Sequence, residues 1–260
     1  MATDVIARTR AGLEFKPPIA EITLKNPPLN VIDIPMMNEL TAVLAEIEER
    51  PEISAIVFRG SEKCFSAGVD VAAHAPGKVN AMLEGFHSVI RALVATRKVT
   101  IAAVYGTCLG GGAELAMMCD IVITADDAKW GFPEITLGCY PPVAATALSA
   151  LIGQKRAADL ILTGITILGS EASEIGLATR AVAQDKVEAA VTEALERLGK
   201  LSPAVLPIAK KAIYTWDSIH FDKGLARAEK IYLEELMKTD DAQEGIRAFL
   251  EKRNPAWKGS

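Results

Sequence analysis

The sequence predicts an α/β fold, in which a mostly parallel β-sheet carries helices and is followed by a region of helices alone. From residue 19 onward, short β-branched runs alternate with longer segments of helical periodicity, and prolines or glycines separate them. After residue 184 only helical periodicity remains. We therefore expect an α/β core in residues 1–184 and a helical region in residues 185–260.

The first strand, helix and strand show this alternation most clearly. Residues 19–24 predict a strand, and Asp33 then provides the N-cap of a helix that has Pro35 in its first turn and ends before Pro51. Residues 53–58 predict the next strand. This order is typical of a right-handed crossover in a parallel sheet.

The remaining elements follow from the same signals. Strands are expected at residues 100–105, 121–124 and 178–182, and helices at residues 79–93, 113–118, 143–151, 154–162, 170–176, 185–198, 203–216, 223–237 and 240–252. The helix after Pro76 carries an apolar stripe that we interpret as core packing. Residues 61–70 and 125–130 are turn-like, so we expect loops there.

A glycine-rich junction is the most distinctive local feature. The strand ending at Tyr105 is followed by glycines 110–112 and then by a helix that carries Glu114 in its first turn. Amides at a helix start have no partner inside the helix, and they can stabilise an anion or an oxygen that is becoming one. A purely structural interpretation stays open, because the helix dipole alone favours an acidic residue there. The GxxxxGK[ST] and GxGxxG phosphate-binding spacings are both absent from the sequence.

The composition argues against several classes of function. A net charge of −5 without a cluster of Lys and Arg gives no support to a nucleic-acid surface. No apolar run approaches the ~18–20 residues of a membrane span, the N-terminus has no apolar signal segment, and the four cysteines are widely spaced. We expect a soluble cytoplasmic protein with reduced thiols. The three histidines form no ligand cluster, so we expect no metal site, and we interpret His74 and His87 as surface or core residues.

Three segments together resemble a known family. They are residues 64–70 (CFSAGVD), 109–116 (LGGGAELA) and 133–138 (PEITLG). In order and separation they are similar to the crotonase superfamily, which includes the enoyl-CoA hydratases and isomerases, over about residues 19–257. The resemblance implies a crotonase-like spiral of ββα units, with a helical C-terminal trimerisation region and commonly a homohexamer. It also implies an acyl-CoA thioester substrate, so coenzyme A is part of the substrate and no separate cofactor is expected.

The same resemblance assigns the site residues. Glu114 and Glu134 match the two carboxylates that, in the family's hydratases, hold a water and transfer protons to and from the substrate carbons. Retention of both favours hydration over isomerisation or decarboxylation. Ala67 and Gly111 match the residues whose amides form an oxyanion hole for the thioester oxygen. Contacts with CoA are implied for Ala67, Gly68, Asp70, Phe249 and Lys252, the last two from a neighbouring subunit.

The chain departs from straight-chain hydratases around Glu134. Pro141 and Pro142 stand where those enzymes have a glycine-rich turn, and Phe132 takes the place of a usual glutamine. Because proline fixes φ and offers no N–H, the acyl pocket must differ in shape there. We expect Phe132, Tyr140 and Pro142 to line it around a bulkier, flatter substrate. These positions, together with residues 73–77 (AHAPG) and the tail segments 232–237, 241–245 and 248–253, look like those of the cyclohexa-1,5-diene-1-carbonyl-CoA hydratases of anaerobic aromatic degradation.

That likeness implies a hydro-lyase that adds water to a cyclic dienoyl-CoA and gives 6-hydroxycyclohex-1-ene-1-carbonyl-CoA. Two near alternatives stay open, a straight-chain enoyl-CoA hydratase and a ring-opening acyl-CoA hydrolase on the same scaffold. A third, a non-catalytic RNA-binding relative, follows from the fact that a fold does not determine a function. The acidic charge balance and the presence of both glutamates argue against that third possibility.

Overall fold

Ten strands and nine α-helices make up the structure, a computed structural model that describes residues 8–75 and 77–259. The strands are β1 (Ala11–Lys16), β2 (Ile19–Leu24), β3 (Ala55–Arg59), β4 (Cys64–Ser66), β5 (Val99–Val104), β6 (Thr107–Leu109), β7 (Ile121–Ala125), β8 (Lys129–Gly131), β9 (Thr166–Leu168) and β10 (Arg180–Val182). The helices are α1 (Ile34–Glu48), α2 (Val79–Ala95), α3 (Gly111–Met117), α4 (Pro142–Ile152), α5 (Gln154–Thr163), α6 (Gly169–Glu174), α7 (Val187–Gly199), α8 (Leu206–Glu234) and α9 (Asp240–Leu250). Short 3-10 helices lie at Val71–His74, Pro133–Leu137, Gln184–Lys186 and Leu236–Lys238.

Two sheets are built from one repeating unit. The larger has the order β1-β2-β3-β5-β7-β10 and is parallel except for β1, and the smaller has the order β4-β6-β8-β9 and is parallel except for β9. In three successive units, a strand of the larger sheet (β3, β5, β7) precedes a strand of the smaller sheet (β4, β6, β8) and then an α-helix (α2, α3, α4). This repetition confirms the predicted spiral of ββα units.

Local signals account for the helices that the sequence predicts well. The Asp33 carboxylate accepts a hydrogen bond from the Met36 amide at 2.9 Å, so it caps α1 as expected. Buried apolar residues of α1 and α2 then pack these two helices against each other over the larger sheet. Pro76, after which we expected α2 to start, lies outside the described residues.

Four expectations about the elements were wrong. Residues 61–70 and 125–130, expected as loops, contain β4 and β8. Both are three residues long, which is too short for an alternating pattern, and they exist because they pair with β6. The helices expected at residues 203–216 and 223–237 are one continuous helix, α8, because neither proline nor a glycine pair interrupts residues 208–234.

Within the described ranges, no helix is both long enough and apolar enough to cross a membrane. All four cysteines, Cys64, Cys108, Cys119 and Cys139, are buried free thiols. Burial raises the pKa of the Cys64 and Cys139 thiols to about 11, so they are neutral at physiological pH.

Candidate active site

The smaller sheet brings the three motif segments to one edge. Ser66 at the end of β4 pairs with Cys108 of β6, and Leu109 at the end of β6 pairs with Gly131 of β8. Because these strands are parallel, the segments that leave their carboxyl ends lie side by side. Residues 67–70, 110–114 and 132–134 are therefore neighbours.

The glycine-rich junction turns the chain sharply into α3. Gly110 has φ +51°, a conformation that favours glycine, and its amide donates to the Gly131 carbonyl at 2.9 Å. The helix then begins at Gly111, whose amide donates no hydrogen bond to any of the described residues. The predicted helix start with unpaired amides is thus present.

Glu114 lies in the first turn of α3 and is 2% exposed. One of its carboxylate oxygens, Oε1, accepts a hydrogen bond from the Ala144 amide at 2.9 Å. Ala144 is in the first turn of α4, which starts at Pro142, so the proline pair places a second helix N-terminus against this carboxylate. Burial nevertheless outweighs these amides and raises the pKa of Glu114 to about 7.

Glu134 approaches the same place from the 3-10 helix Pro133–Leu137. Its Oε1 lies 2.7 Å from the point that an ideal Cβ on Gly110 would occupy, and its buried Oε2 has no hydrogen-bond partner among the described residues. Burial, and secondly the charge of Glu114, raise the pKa of Glu134 well above its usual value. Because the charge of Glu114 disfavours ionisation of Glu134, the pair favours one ionised and one neutral carboxyl group near neutral pH.

Both carboxyl groups open on one cavity of about 80 Å³. It is lined by Ala67, Gly68, Val69, Val71, His74, Met82, Leu83, Phe86, His87, Gly110, Gly111, Glu114, Pro133, Glu134, Leu137, Cys139, Tyr140, Pro141, Pro142 and Tyr232. Apart from the two glutamates, two histidines, two tyrosines and one cysteine, the lining side chains are apolar. The structure thus brings the predicted pair of acids together in a small cavity with mostly apolar walls.

The expectation for the first oxyanion donor needs correction. The Ala67 amide donates to the Leu29 carbonyl at 2.9 Å, so it is not available to a ligand. The Val69 amide donates no hydrogen bond within the described part of the chain. A Cβ added to Gly111 would lie only 3.3 Å from the Val69 nitrogen, so the unpaired amides of Val69 and Gly111 are close together.

The residues expected to contact CoA fall into two places. Ala67 and Gly68 line the cavity, and the Asp70 carboxylate caps the 3-10 helix Val71–His74 by accepting from the Ala72 amide at 3.1 Å. Phe249 and Lys252 lie far along the chain, at the end of α9, where both are exposed. Their expected contact concerns a second subunit and stays a prediction.

The acyl-pocket residues are only partly as expected. Tyr140 and Pro142 line the cavity, and the Tyr140 hydroxyl donates to the Ala228 carbonyl of α8 at 2.5 Å. Phe132 is absent from the cavity lining, because its side chain is fully buried in the hydrophobic core. That prediction was wrong, and Tyr232, packed at a ring-centroid distance of 5.2 Å from Tyr140, supplies the aromatic wall instead.

Sequence reasoning missed several lining residues. Met82, Leu83 and Phe86 belong to the stripe interpreted as core packing, and that stripe also forms one wall of the cavity. His87, interpreted as a surface or core residue, is 0% exposed and lines the cavity as well. The only available signal was a histidine placed among apolar residues of one helix face.

A larger cavity of about 620 Å³ lies between α4, α8 and the end of α3. It contains neither Glu114 nor Glu134, and it does not reach the unpaired amides of Val69 and Gly111. We therefore place the chemistry in the smaller cavity, where acids and amides converge.

Comparison with known proteins agrees with this geometry. The family model described as enoyl-CoA hydratase/isomerase matches residues 14–260. A probable enoyl-CoA hydratase, echA8, of Mycobacterium bovis is 38% identical over 237 residues, which cover 90% of this chain and 92% of the relative. The cyclohexa-1,5-dienecarbonyl-CoA hydratase of Thauera aromatica is 34% identical over 248 residues, covering 95% and 96%. The crystal structure of an enoyl-CoA hydratase from Bacillus anthracis, 31% identical, has a TM-score of 0.77 over 96% of this chain and 100% of its own. The chain belongs to the enoyl-CoA hydratase/isomerase family.

Proposed function

We propose that this protein adds water to a cyclic dienoyl-CoA thioester, converting cyclohexa-1,5-diene-1-carbonyl-CoA to 6-hydroxycyclohex-1-ene-1-carbonyl-CoA. Hydratase chemistry follows from the family. The cyclic acyl group of the substrate is the part of the proposal that goes beyond what the family shows. One observation carries the proposal: two carboxyl groups and two unpaired amides converge on a single small cavity with aromatic and proline walls.

The carboxyl pair supplies the proton transfers. Adding water to a double bond requires a base that takes the water proton and an acid that gives a proton to carbon. Since the raised pKa values of Glu114 and Glu134 allow one to be ionised while the other is protonated, the pair can hold both states at once near neutral pH.

The amides of Val69 and Gly111 supply the electrostatic stabilisation. Attack on the carbon β to the thioester moves negative charge onto the carbonyl oxygen. Two fixed N–H donors that have no other partner can stabilise that oxygen by on the order of 3 kcal/mol each. We therefore assign the oxyanion hole to Val69 and Gly111.

The walls of the cavity support a compact, flat acyl group. The cavity volume of about 80 Å³ leaves little room for a long flexible chain. Phe86, Tyr140 and Tyr232 supply aromatic surfaces, and Pro141 and Pro142 supply a rigid edge. The similarity to the Thauera aromatica hydratase over 95% of this chain points in the same direction.

A second candidate is a general enoyl-CoA hydratase that acts on short straight chains. It is favoured by the 38% identity to a relative named probable enoyl-CoA hydratase, which exceeds the 34% identity to the cyclic-substrate enzyme. The same acids and amides would serve that reaction, so only the acyl group separates the two candidates.

A direct assay distinguishes them. The purified protein is incubated with cyclohexa-1,5-diene-1-carbonyl-CoA and, separately, with crotonyl-CoA, and kcat/KM is measured for each by product mass and NMR. We expect a clear preference for the cyclic substrate and a product that has gained one water with the ring intact. A preference for crotonyl-CoA would select the second candidate, and an opened ring would select a hydrolase.

We also propose that the protein assembles with copies of itself. Large apolar side chains are exposed in the helical C-terminal region, among them Val205, Ile208 and Ile213 at 58%, 68% and 68%. Such an assembly would let Phe249 and Lys252 of one subunit reach the CoA bound by another. Light scattering on the eluting protein gives the mass, and a monomer would contradict this assignment.

A further inference from the structure

A buried histidine in the cavity has no role in the proposal so far. His87 of α2 is 0% exposed and lines the same cavity as both glutamates. Its Nδ1 lies 2.6 Å from Glu229 Oε1 of α8, and its Nε2 is buried without a hydrogen-bond partner among the described residues. A buried polar atom without a partner destabilises the folded protein, so the position of Nε2 in the cavity wall points to a partner that arrives with the ligand.

The contacts of Glu229 give this histidine a defined orientation. Because a carboxylate can only accept, Nδ1 carries the proton of the His87–Glu229 bond. Arg91, one turn along α2, donates to the same Glu229 oxygen at 2.9 Å and holds the carboxylate in place. Nε2 is then the ring atom left to offer a lone pair, and the carboxylate stabilises the ring when Nε2 is protonated.

The helix that carries His87 also reaches the oxyanion site, and His87 lines the same cavity as Val69 and Gly111. The preceding residue, Phe86, has its Cζ 3.2 Å from the point that a Cβ on Gly111 would occupy. Helix α2 therefore covers the amide pair, and the His87 ring enters the cavity from that helix rather than from α3 or the Pro133–Leu137 turn. Besides Glu114 and Glu134, a third group that can carry a proton therefore faces the acyl group, and it does so from a different wall of the cavity.

The proposed reaction offers a separate task for such a group, because its two reacting ring carbons lie apart. In the diene, C1 bears the thioester, and the double bonds are C1=C2 and C5=C6. Addition of hydroxide to C2, the carbon β to the carbonyl, forms the C2–O bond and moves the C1=C2 electrons into an enolate that is conjugated with C5=C6. The product has one ring double bond conjugated with the thioester, so the new C–H bond must form at C5. Carbon C5 lies across the ring from C2.

We propose that His87 is a catalytic residue that carries the proton to and from this distant ring carbon, while Glu114 and Glu134 handle the water; this role rests on the proposed function. In hydration, one glutamate takes a proton from water as the C2–O bond forms. For this step the ring is protonated at Nε2, a state that burial disfavours by lowering the pKa of His87 and that the Glu229 carboxylate favours. The enolate then collapses, C1=C6 forms, and C5 takes the proton from Nε2 of this imidazolium. The glutamate's proton returns to His87 through solvent, so each cycle consumes one water. In dehydration the neutral Nε2 removes the same proton.

The test follows both the rate and the position of the new hydrogen. Hydration of the cyclic dienoyl-CoA is run in D₂O with wild type, H87Q, E114Q and H220Q, the last replacing an exposed histidine of α8. For H87Q we expect a rate at least about 100-fold lower. Wild type should place deuterium on one face of the ring carbon that was C5. In the residual product of H87Q we expect deuterium on both faces of that carbon. E114Q should lose rate but keep the deuterium on one face, and H220Q should match wild type.

Each outcome decides between the claims. A wild type that does not convert the cyclic substrate overturns the proposed function and this role with it. A wild type that converts it, with H87Q equally fast and equally stereospecific, overturns the role of His87 alone. If Y232F rather than H87Q scrambles the deuterium, the donor is instead the Tyr232 hydroxyl, which has no hydrogen-bond partner among the described residues. Should H87Q fail to fold, E229Q keeps the ring and removes its partner's charge, and a smaller loss of rate with partial scrambling is expected.

Discussion

The carboxyl group of Glu134 occupies the space beside Gly110 that any other residue would fill with its Cβ. Oε1 of Glu134 lies 2.7 Å from the ideal Cβ position, and Gly110 also has φ +51°. The glycine therefore allows both a backbone conformation with positive φ and the close approach of the Glu134 carboxyl group, which we propose to be catalytic. Substitution at this position must displace Glu134, the turn, or both.

Replacing Gly110 by alanine is expected to lower kcat by about 10²-fold, because a shift of about 1 Å in a reacting group has that effect. Gly153 is the matched control, since it has φ +83° and no atom within 4 Å of an added Cβ. Both G110A and G153A should reduce the free energy of unfolding by about 1–3 kcal/mol through backbone strain. Only G110A should lose turnover; equal kcat values for the two variants would contradict the placement of Glu134.

The oxyanion site gives a prediction about coupling between two residues. A Cβ on Gly111 would lie 2.6 Å from Val69 Cγ2, so G111A pushes apart the two amides that we assign to the thioester oxygen. We expect G111A to lower kcat by about 10²–10³-fold, the usual effect of losing one such donor. V69A keeps its amide and removes the clashing methyl groups, so the double variant V69A/G111A should regain much of the loss.

The measurement is kcat for the wild type, both single variants and the double variant. The coupling energy from this cycle should be well away from zero, because neighbouring residues are not additive. If the two effects simply add, the loss of turnover in G111A does not arise from the clash with the Val69 side chain.

A feature of the structure can be predicted from the sequence when its cause lies in residues that are close together in the chain. The start of α1 follows from Asp33 and the residues just after it, so it is predictable from a few positions. The strands β4 and β8 exist through pairing with β6, which no pattern of three residues can reveal. At the site, the two glutamates come from motifs that resemble a family, whereas the contact of His87 with Glu229 joins residues 142 positions apart.

The oxyanion donors show the same limit within a single loop. Ala67 and Val69 are two residues apart, and both offer a backbone amide. Only the folded chain shows that the Leu29 carbonyl accepts from the Ala67 amide, while the Val69 amide has no partner in the described part of the chain. Phe132 is a similar case, because its neighbour Pro133 turns toward the cavity while the phenyl ring enters the core.

The raised pKa of Glu114 predicts a pH-dependent stability. An acid whose folded pKa lies above its unfolded value contributes full stability below the unfolded pKa of about 4.5 and loses it as pH rises through about 7. Glutamine mimics the neutral acid, so the free energy of unfolding of E114Q should rise relative to wild type between these pH values. The gain should approach roughly 3 kcal/mol above pH 7.

Urea unfolding of both proteins between pH 4 and pH 8 measures this difference directly. E171Q, at an exposed position of α6, is the matched control for the substitution itself. A difference between E114Q and wild type that does not change with pH would mean that the carboxyl group is solvated, and so that the cavity is not dry.

The last prediction concerns Lys252, which lies just past the end of α9 with φ +54° and an exposed side chain. If it pairs with a CoA phosphate, K252Q should raise KM for the acyl-CoA by about 2- to 5-fold, as expected for an exposed ion pair, with a smaller effect on kcat. The same acyl group carried on pantetheine lacks those phosphates, so K252Q and wild type should have equal KM values for it. K258A, at another exposed lysine of the C-terminal tail, controls for general charge. An equal rise in KM for both thioesters would mean that Lys252 supports the structure of the C-terminal tail and does not pair with a CoA phosphate.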